Sequence, residues 1–202
     1  MIKTIIFDFG DIFINLDKLA TGRKLKEMNI EDLPEHILAK NQEYEQGFVT
    51  SDEISEIYRT EFPALDPEVF TTSWNAILMD FPEYRYRFIQ KLAAEKKYQL
   101  ILLSNTNEKH IDFIKNEVSF FENFKDCFDA FYLSHEIGFR KPNPEIFEFV
   151  LKQQNLKAEE CLFIDDTKEN TDSAKKLGFQ VWNLEPTRED VIDLFTTKAE
   201  LF

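Results

Sequence analysis

Four short apolar runs in this 202-residue chain lead into side chains that could do chemistry. Thr4 to Phe7 runs into Asp8, and Tyr98 to Leu103 runs into Ser104 and Asn105. Ala130 to Leu133 is followed by Ser134 and then by Gly138-Phe139-Arg140-Lys141-Pro142, and Cys161 to Ile164 by Asp165-Asp166. Any one of these polar ends alone reads as a helix cap or a solvated turn. Brought to one edge, they would set three carboxylates, Asp8, Asp165 and Asp166, against each other. That costs on the order of several kcal/mol unless a proton or a cation compensates. A hard divalent cation held by oxygen ligands and water, Mg²⁺ above all, solves this. The three carboxylates, the dication and Lys141 are together neutral, so a phosphate dianion could approach without net repulsion.

The elements that must position these groups are legible in the pattern. Continuous rather than alternating apolar runs suit parallel strands covered on both faces. Phe179 to Trp182 supplies a fifth run. Helical faces fall between the runs: Phe88, Ile89, Leu92 and Ala93; Ile111, Ile114 and Val118; and Ile146, Phe147, Val150 and Leu151, opened by Pro142 and Pro144. A short helix is expected over Asn170 to Leu177, stopped by Gly178. From about residue 85 onward helix and strand alternate, which predicts an α/β fold with a doubly wound, Rossmann-like parallel sheet. Residues 15–85 carry helical periodicity and no convincing strand, with capping-box spacing at Thr50 and Glu53. They read as a helical cap inserted after the first strand, with 1–14 and 86–202 forming the α/β core.

Composition narrows the function classes. Lys plus Arg is 24 against 38 Asp plus Glu, a formal charge of −14, which disfavours nucleic acid and anionic membrane surfaces as partners. The longest apolar runs are far short of a membrane span, and Asp8 interrupts the N-terminal run before a signal core could form. Cys127 and Cys161 make neither a disulfide framework nor a zinc pattern, which suits a cytoplasmic setting. No GxGxxG or Walker A sequence is present.

The set Phe7-Asp8-Phe9-Gly10, Leu103-Ser104-Asn105, Arg140-Lys141-Pro142 and Ile164-Asp165-Asp166 resembles the four motifs of the haloacid dehalogenase (HAD) superfamily, in order and spacing, over nearly the whole chain. Within it the Ser-Asn-Thr-Asn and Arg-Lys-Pro wording is similar to small bacterial hydrolases of the alpha-glucose-1-phosphate phosphatase type. The resemblance implies a phosphatase in which Asp8 attacks phosphorus and forms an aspartyl-phosphate. It implies Mg²⁺ at the Asp8 side chain, the Gly10 carbonyl and Asp166, with Asp165 acting through water. It implies Ser104 and the Asn105 backbone on the phosphoryl oxygens, Lys141 between Asp8 and the phosphate, and a helical cap over the leaving group. The substrate would be a small phosphorylated metabolite such as a sugar phosphate, and the protein a monomer or homodimer.

One departure bears on the chemistry. Most phosphatases of the superfamily carry Asp two residues after the nucleophile as general acid and base, where this chain has Gly10, although the alpha-glucose-1-phosphate phosphatase type also has Gly there. About 10² to 10⁴ of acid–base catalysis would then be missing unless another group, Asp11 first and His110 second, supplies the proton. A glycine at positive φ would also resist an Asp replacement. Two other readings follow from the same residues: a metal-independent 2-haloacid dehalogenase, against which the Asp165-Asp166 pair argues, and a binding protein that kept the fold without turnover, favoured by Gly10 alone. His110 reads as a cap or surface histidine. Trp74, Phe70, Met79 and Phe81 read as helix-packing core of the insertion, and Phe120, Phe121, Phe124, Phe128 and Phe131 as aromatic core. Asp17, Glu43 and Glu45 read as solvated.

Overall fold

A computed structural model describes residues 1–202. The five apolar runs become strands β1 (Thr4–Phe7), β2 (Gln99–Ser104), β3 (Ala130–Leu133), β4 (Cys161–Asp165) and β5 (Gln180–Asn183). They form one fully parallel sheet in the order β3-β2-β1-β4-β5. The chain starts in the middle and winds outward in both directions. The switch point therefore lies at the carboxyl end of β1, flanked by β2 and β4. Three strands run one residue past the apolar runs that announce them, and two of these carry site residues: Ser104 is the last residue of β2 and Asp165 the last of β4. Both are pinned by the sheet rather than by a loop.

Eleven helices surround this sheet: α1 (Ala20–Glu27), α2 (Glu35–Glu45), α3 (Ser51–Glu61), α4 (Pro67–Asn75), α5 (Glu83–Glu95), α6 (Glu108–Glu117), α7 (Phe121–Lys125), α8 (Ser134–Ile137), α9 (Pro144–Gln154), α10 (Lys168–Lys176) and α11 (Leu194–Thr197). Strand β1 is buried on both faces, which is why it is continuously apolar. Ile5 and Phe7 join the larger core with Ile89, Leu92, Ile111, Ile114 and Phe124; Ile6 joins the other with Phe147, Val150 and Phe163. The phenylalanine-rich stretch lies in the larger core, where Phe124 sits edge-on to Phe13, Phe81 and Phe128 with ring centroids 4.9–5.0 Å apart.

Between β1 and α5 the chain builds a third core of its own around Ile37, Tyr44, Ile54, Tyr58, Phe70 and Trp74. The Thr50–Glu53 capping box that starts α3 forms in both directions. Phe81 belongs to the sheet's core instead, and Met79 is 54% exposed, so neither fills the insertion. Residue 85 falls inside α5. Arg85, buried on that helix, donates to Asn15 Oδ1 (2.9 Å) and is ion-paired with Asp190 (3.0 Å), which ties the helix to the sheet side. Helix α10 begins two residues earlier than the periodicity suggests, because Thr167 rather than Glu169 precedes its first turn. Of the two prolines before α9 only Pro144 enters the helix, and Asn143 precedes it as N-cap.

Candidate active site

The loaded ends of β1, β2 and β4 meet at the switch point. Lys141, 1% exposed, reaches in from the segment after α8 and donates from Nζ to three acceptors: Asp8 Oδ1 (2.7 Å), Asp165 Oδ2 (2.7 Å) and the Leu103 carbonyl (2.8 Å). All three donor positions of the ammonium are used, so its direction is fixed. Burial works against the charge on Lys141, but the Asp165 and Asp8 carboxylates outweigh it and its pKa is raised. Burial also pushes the Asp8 carboxyl upward, and Asp165 and Asp166 add to that, against the opposing pull of Lys141. One ammonium does not neutralise the cluster. Asp8, Asp165 and Asp166 each offer an oxygen within 4.8 Å of the others, an arrangement that could hold a metal ion. An oxygen-only, under-neutralised donor set fits a hard dication.

The three carboxylates are not equivalent. Asp165 is fully buried, and besides Lys141 it accepts from Thr167 N (2.8 Å) and from Asn170 Nδ2 (3.1 and 3.0 Å to its two oxygens). Its lone pairs are committed to orienting the lysine and the start of α10. Asp8 and Asp166 remain on the wall of a cleft of about 390 Å³, together with Gly10, Asn105, Arg140 and Lys141. Burial raises the Asp166 pKa, countered by Lys18. Lys18 is the residue that sequence reasoning missed. It follows β1 in the chain, pairs with Asp166 and lies 3.0 Å from Asp11 Oδ2. Nothing in its spacing marks it out, since it is brought there by the turn over 10–17.

Asn105 contributes through its amide, which clamps the lysine's own peptide. Its Nδ2 donates to the Lys141 carbonyl and its Oδ1 accepts from Lys141 N, both at 2.8 Å. Ser104 is buried, and its hydroxyl makes one long contact, 3.4 Å, to the Asn105 carbonyl. Ser134 turns away to bond both Thr106 N and Thr106 O, joining β3 to the loop after β2.

The turn after Asp8 differs from expectation. Gly10 is not at positive φ; Asp11 is, at 55°, a region Asp tolerates better than most residues. A side chain at Gly10 is opposed by packing instead, since its Cβ would lie 2.7 Å from Leu16 Cδ1. Asp11 is tied back: Oδ1 accepts from Leu16 N (3.0 Å) while Oδ2 faces Lys18. His110 is not a surface group. Its ring bonds Asn107 Nδ2 (3.2 Å) and the Trp74 carbonyl (3.1 Å), and burial lowers its pKa to about 4. It joins α6 to the end of α4 rather than reaching the carboxylates. The acidic residues read as solvated have partners: Asp17 pairs with Arg23, Glu43 with Lys40 (2.6 Å) and Glu45 with Arg140 (3.0 Å).

Known proteins resemble this chain over nearly its whole length. The chain is 29% identical, over 92% of its length and 93% of the relative's, to a D-ribitol-5-phosphate phosphatase of Bacteroides thetaiotaomicron. A HAD family enzyme from the same organism, crystallised with magnesium and inorganic phosphate, superposes with a TM-score of 0.84 at 30% identity, covering 96% of this chain and all of that one. A predicted HAD-like family hydrolase of Porphyromonas gingivalis superposes at 0.83 with 27% identity, over 98% of this chain and 97% of that one. No helix here is long and apolar enough to cross a membrane. The haloacid dehalogenase-like hydrolase family matches residues 2–178, most of the chain and all of its strand-end carboxylates and Lys141, and this chain belongs to that family of hydrolases.

Proposed function

We propose that this protein is a Mg²⁺-dependent phosphatase that hydrolyses a small phosphate monoester through an aspartyl-phosphate at Asp8. The observation that carries the reading is the Lys141 ammonium held between Asp8 and Asp165 with Asp166 alongside. Asp8 is the nucleophile, Lys141 neutralises it during approach of the phosphate, and the same ammonium then stabilises charge on the phosphoryl oxygens. The Ser104 hydroxyl and the Asn105 backbone N–H serve those oxygens as well. Mg²⁺ would be held by Asp8, the Gly10 carbonyl and Asp166, and would supply charge compensation for a dianionic substrate. Asp165, with its oxygens already taken, would meet the cation only through water. With Asp11 and Lys18 counted, the site adds one negative and one positive charge, so neutrality with a dication still holds.

Residues 15–85 are proposed as the cap that covers the leaving group. The leaving group itself is read from the cleft. Leu16 and Pro142 are the apolar parts of a wall otherwise built from charged and polar side chains and Gly10. Such a wall suits a polyhydroxylated, phosphorylated metabolite, in keeping with the alditol phosphate named for the Bacteroides relative, and suits a long hydrocarbon poorly.

The test is phosphate release from an aryl phosphate, from sugar and alditol phosphates and from nucleotides, with Mg²⁺ and after chelation, beside 2-haloacids. Phosphate release that chelation stops and Mg²⁺ restores is the expected outcome. Metal-independent halide release, or no turnover of any phosphate, overturns the proposal.

A further inference from the structure

Lys141 is fixed at its tip by two carboxylates and at its peptide by Asn105. The segment leading to it, residues 135–140, is held by something else. Three consecutive residues at the end of α2 dock on it. Glu45 accepts from Arg140 Nε (3.1 Å) and pairs with its second guanidinium nitrogen (3.0 Å). Gln46 Nε2 donates to the Gly138 carbonyl at 3.4 Å. Gly47, at φ +72°, brings its backbone so close to α8 that a Cβ would fall 2.0 Å from the His135 carbonyl oxygen. Only glycine allows that approach.

The position of Glu45 is locally unfavourable. It is the last residue of α2, at the negative end of the helix dipole, with no basic residue in the same turn. Its side chain is half-buried, and burial raises its pKa in spite of Arg140. A helix gains nothing from a carboxylate there. Its compensation comes from across the seam, from the residue immediately before Lys141.

We propose that Glu45 and Arg140 are positioning residues: the end of α2 locks the 135–140 segment, so the insertion sets the reach of Lys141 into the site. The consequence for phosphate binding rests on the phosphatase reading above; the mechanical part does not. Glu45 does not line the cleft, so a change there acts on the phosphate only through Arg140 and the segment. The lock also means that a movement of the end of α2 away from the sheet is felt at Arg140.

The experiment compares wild type with Glu45→Gln, which removes the charge at constant shape, and Glu45→Lys, which opposes Arg140 directly. Hydrogen exchange of the 134–141 amides is followed by mass spectrometry, and calorimetry measures binding of Mg²⁺ alone and of inorganic phosphate in its presence. The lock predicts faster exchange in 134–141, more in Glu45→Lys than in Glu45→Gln. It predicts about tenfold weaker phosphate binding for Glu45→Gln, the scale of one charge-assisted contact, with Mg²⁺ affinity unchanged. A purely structural role would reduce the folded fraction and leave the phosphate affinity of the folded protein alone. Unchanged exchange in both variants overturns the lock. Faster exchange with unaltered phosphate affinity overturns the claim that it positions Lys141. If wild type itself binds no phosphate, the phosphatase reading fails, and the exchange data still decide the lock.

Discussion

Replacing Lys141 by methionine tests the electrostatic core of the site. The side chain keeps its length and apolar stem and loses the ammonium. Asp8 and Asp165 then face each other with the lysine's 2.7 Å contacts gone from both, and the Leu103 carbonyl loses its 2.8 Å donor. Asp165 keeps Thr167 N and Asn170, so the uncompensated charge falls mainly on Asp8. Removing one partner of a buried ion pair costs about 3–5 kcal/mol, since the other charge is left in a medium that solvates it poorly. For a chain of this size 1 kcal/mol moves the melting midpoint by about 2–4 °C, so the variant should melt about 6–20 °C lower in the absence of divalent metal. Scanning calorimetry with and without Mg²⁺ is the assay. The cation should raise the midpoint of Lys141→Met by more than that of wild type, because it replaces a charge that the variant lacks. A midpoint within about 2 °C of wild type, or an identical Mg²⁺ increment in both proteins, would refute the reasoning: Lys141 would then not be the counter-charge of this cluster.

Further outcomes follow from the same geometry. Asp8→Asn should fold normally and release no phosphate, the amide being nearly isosteric but no nucleophile, with mass spectrometry used to exclude deamidation back to Asp. If nothing replaces the acid missing at Gly10, aryl phosphates should be cleaved far faster than alkyl phosphates and pre-steady-state kinetics should show a burst; equal rates without a burst would point to another proton donor. Gly10→Asp should speed alkyl substrates more than aryl ones, provided the flexible end of Leu16 yields the 2.7 Å contact, and a crystal structure of the variant would report that movement. His110 is held neutral, with a pKa near 4 against 6.5 in an unfolded chain, so the unfolded state takes up the proton first as the pH falls. Stability should therefore drop from pH 6.5 toward 4, by up to about 1.4 kcal/mol at pH 5.5, and His110→Gln should flatten that slope in denaturant titrations. Lys18→Met should tighten Mg²⁺ binding measured by calorimetry, since Lys18 competes for Asp166.

The amino-acid sequence by itself determined the parallel sheet, the order of its strands along the chain and the groups at their ends. Runs such as Thr4–Phe7 are continuously apolar because both faces of the sheet are covered, and that requirement is written residue by residue. Asp8, Ser104 and Asp165 follow or close such runs and are positioned by backbone register, so they too could be read in one dimension. The tertiary structure alone decided what those groups touch. Lys18 enters the acidic cluster, Glu45 crosses to Arg140, His110 turns inward to the Trp74 carbonyl, and Asp165 is saturated by Asn170 and Thr167. It also moved the steric obstacle at Gly10 from backbone angle to the Leu16 side chain, and placed Phe81 in the sheet's core instead of the insertion's. Periodicity records whether a side chain must be buried. The identity of a charged partner depends on where two surfaces distant in sequence come together, and neither residue of such a pair carries a local trace of the other.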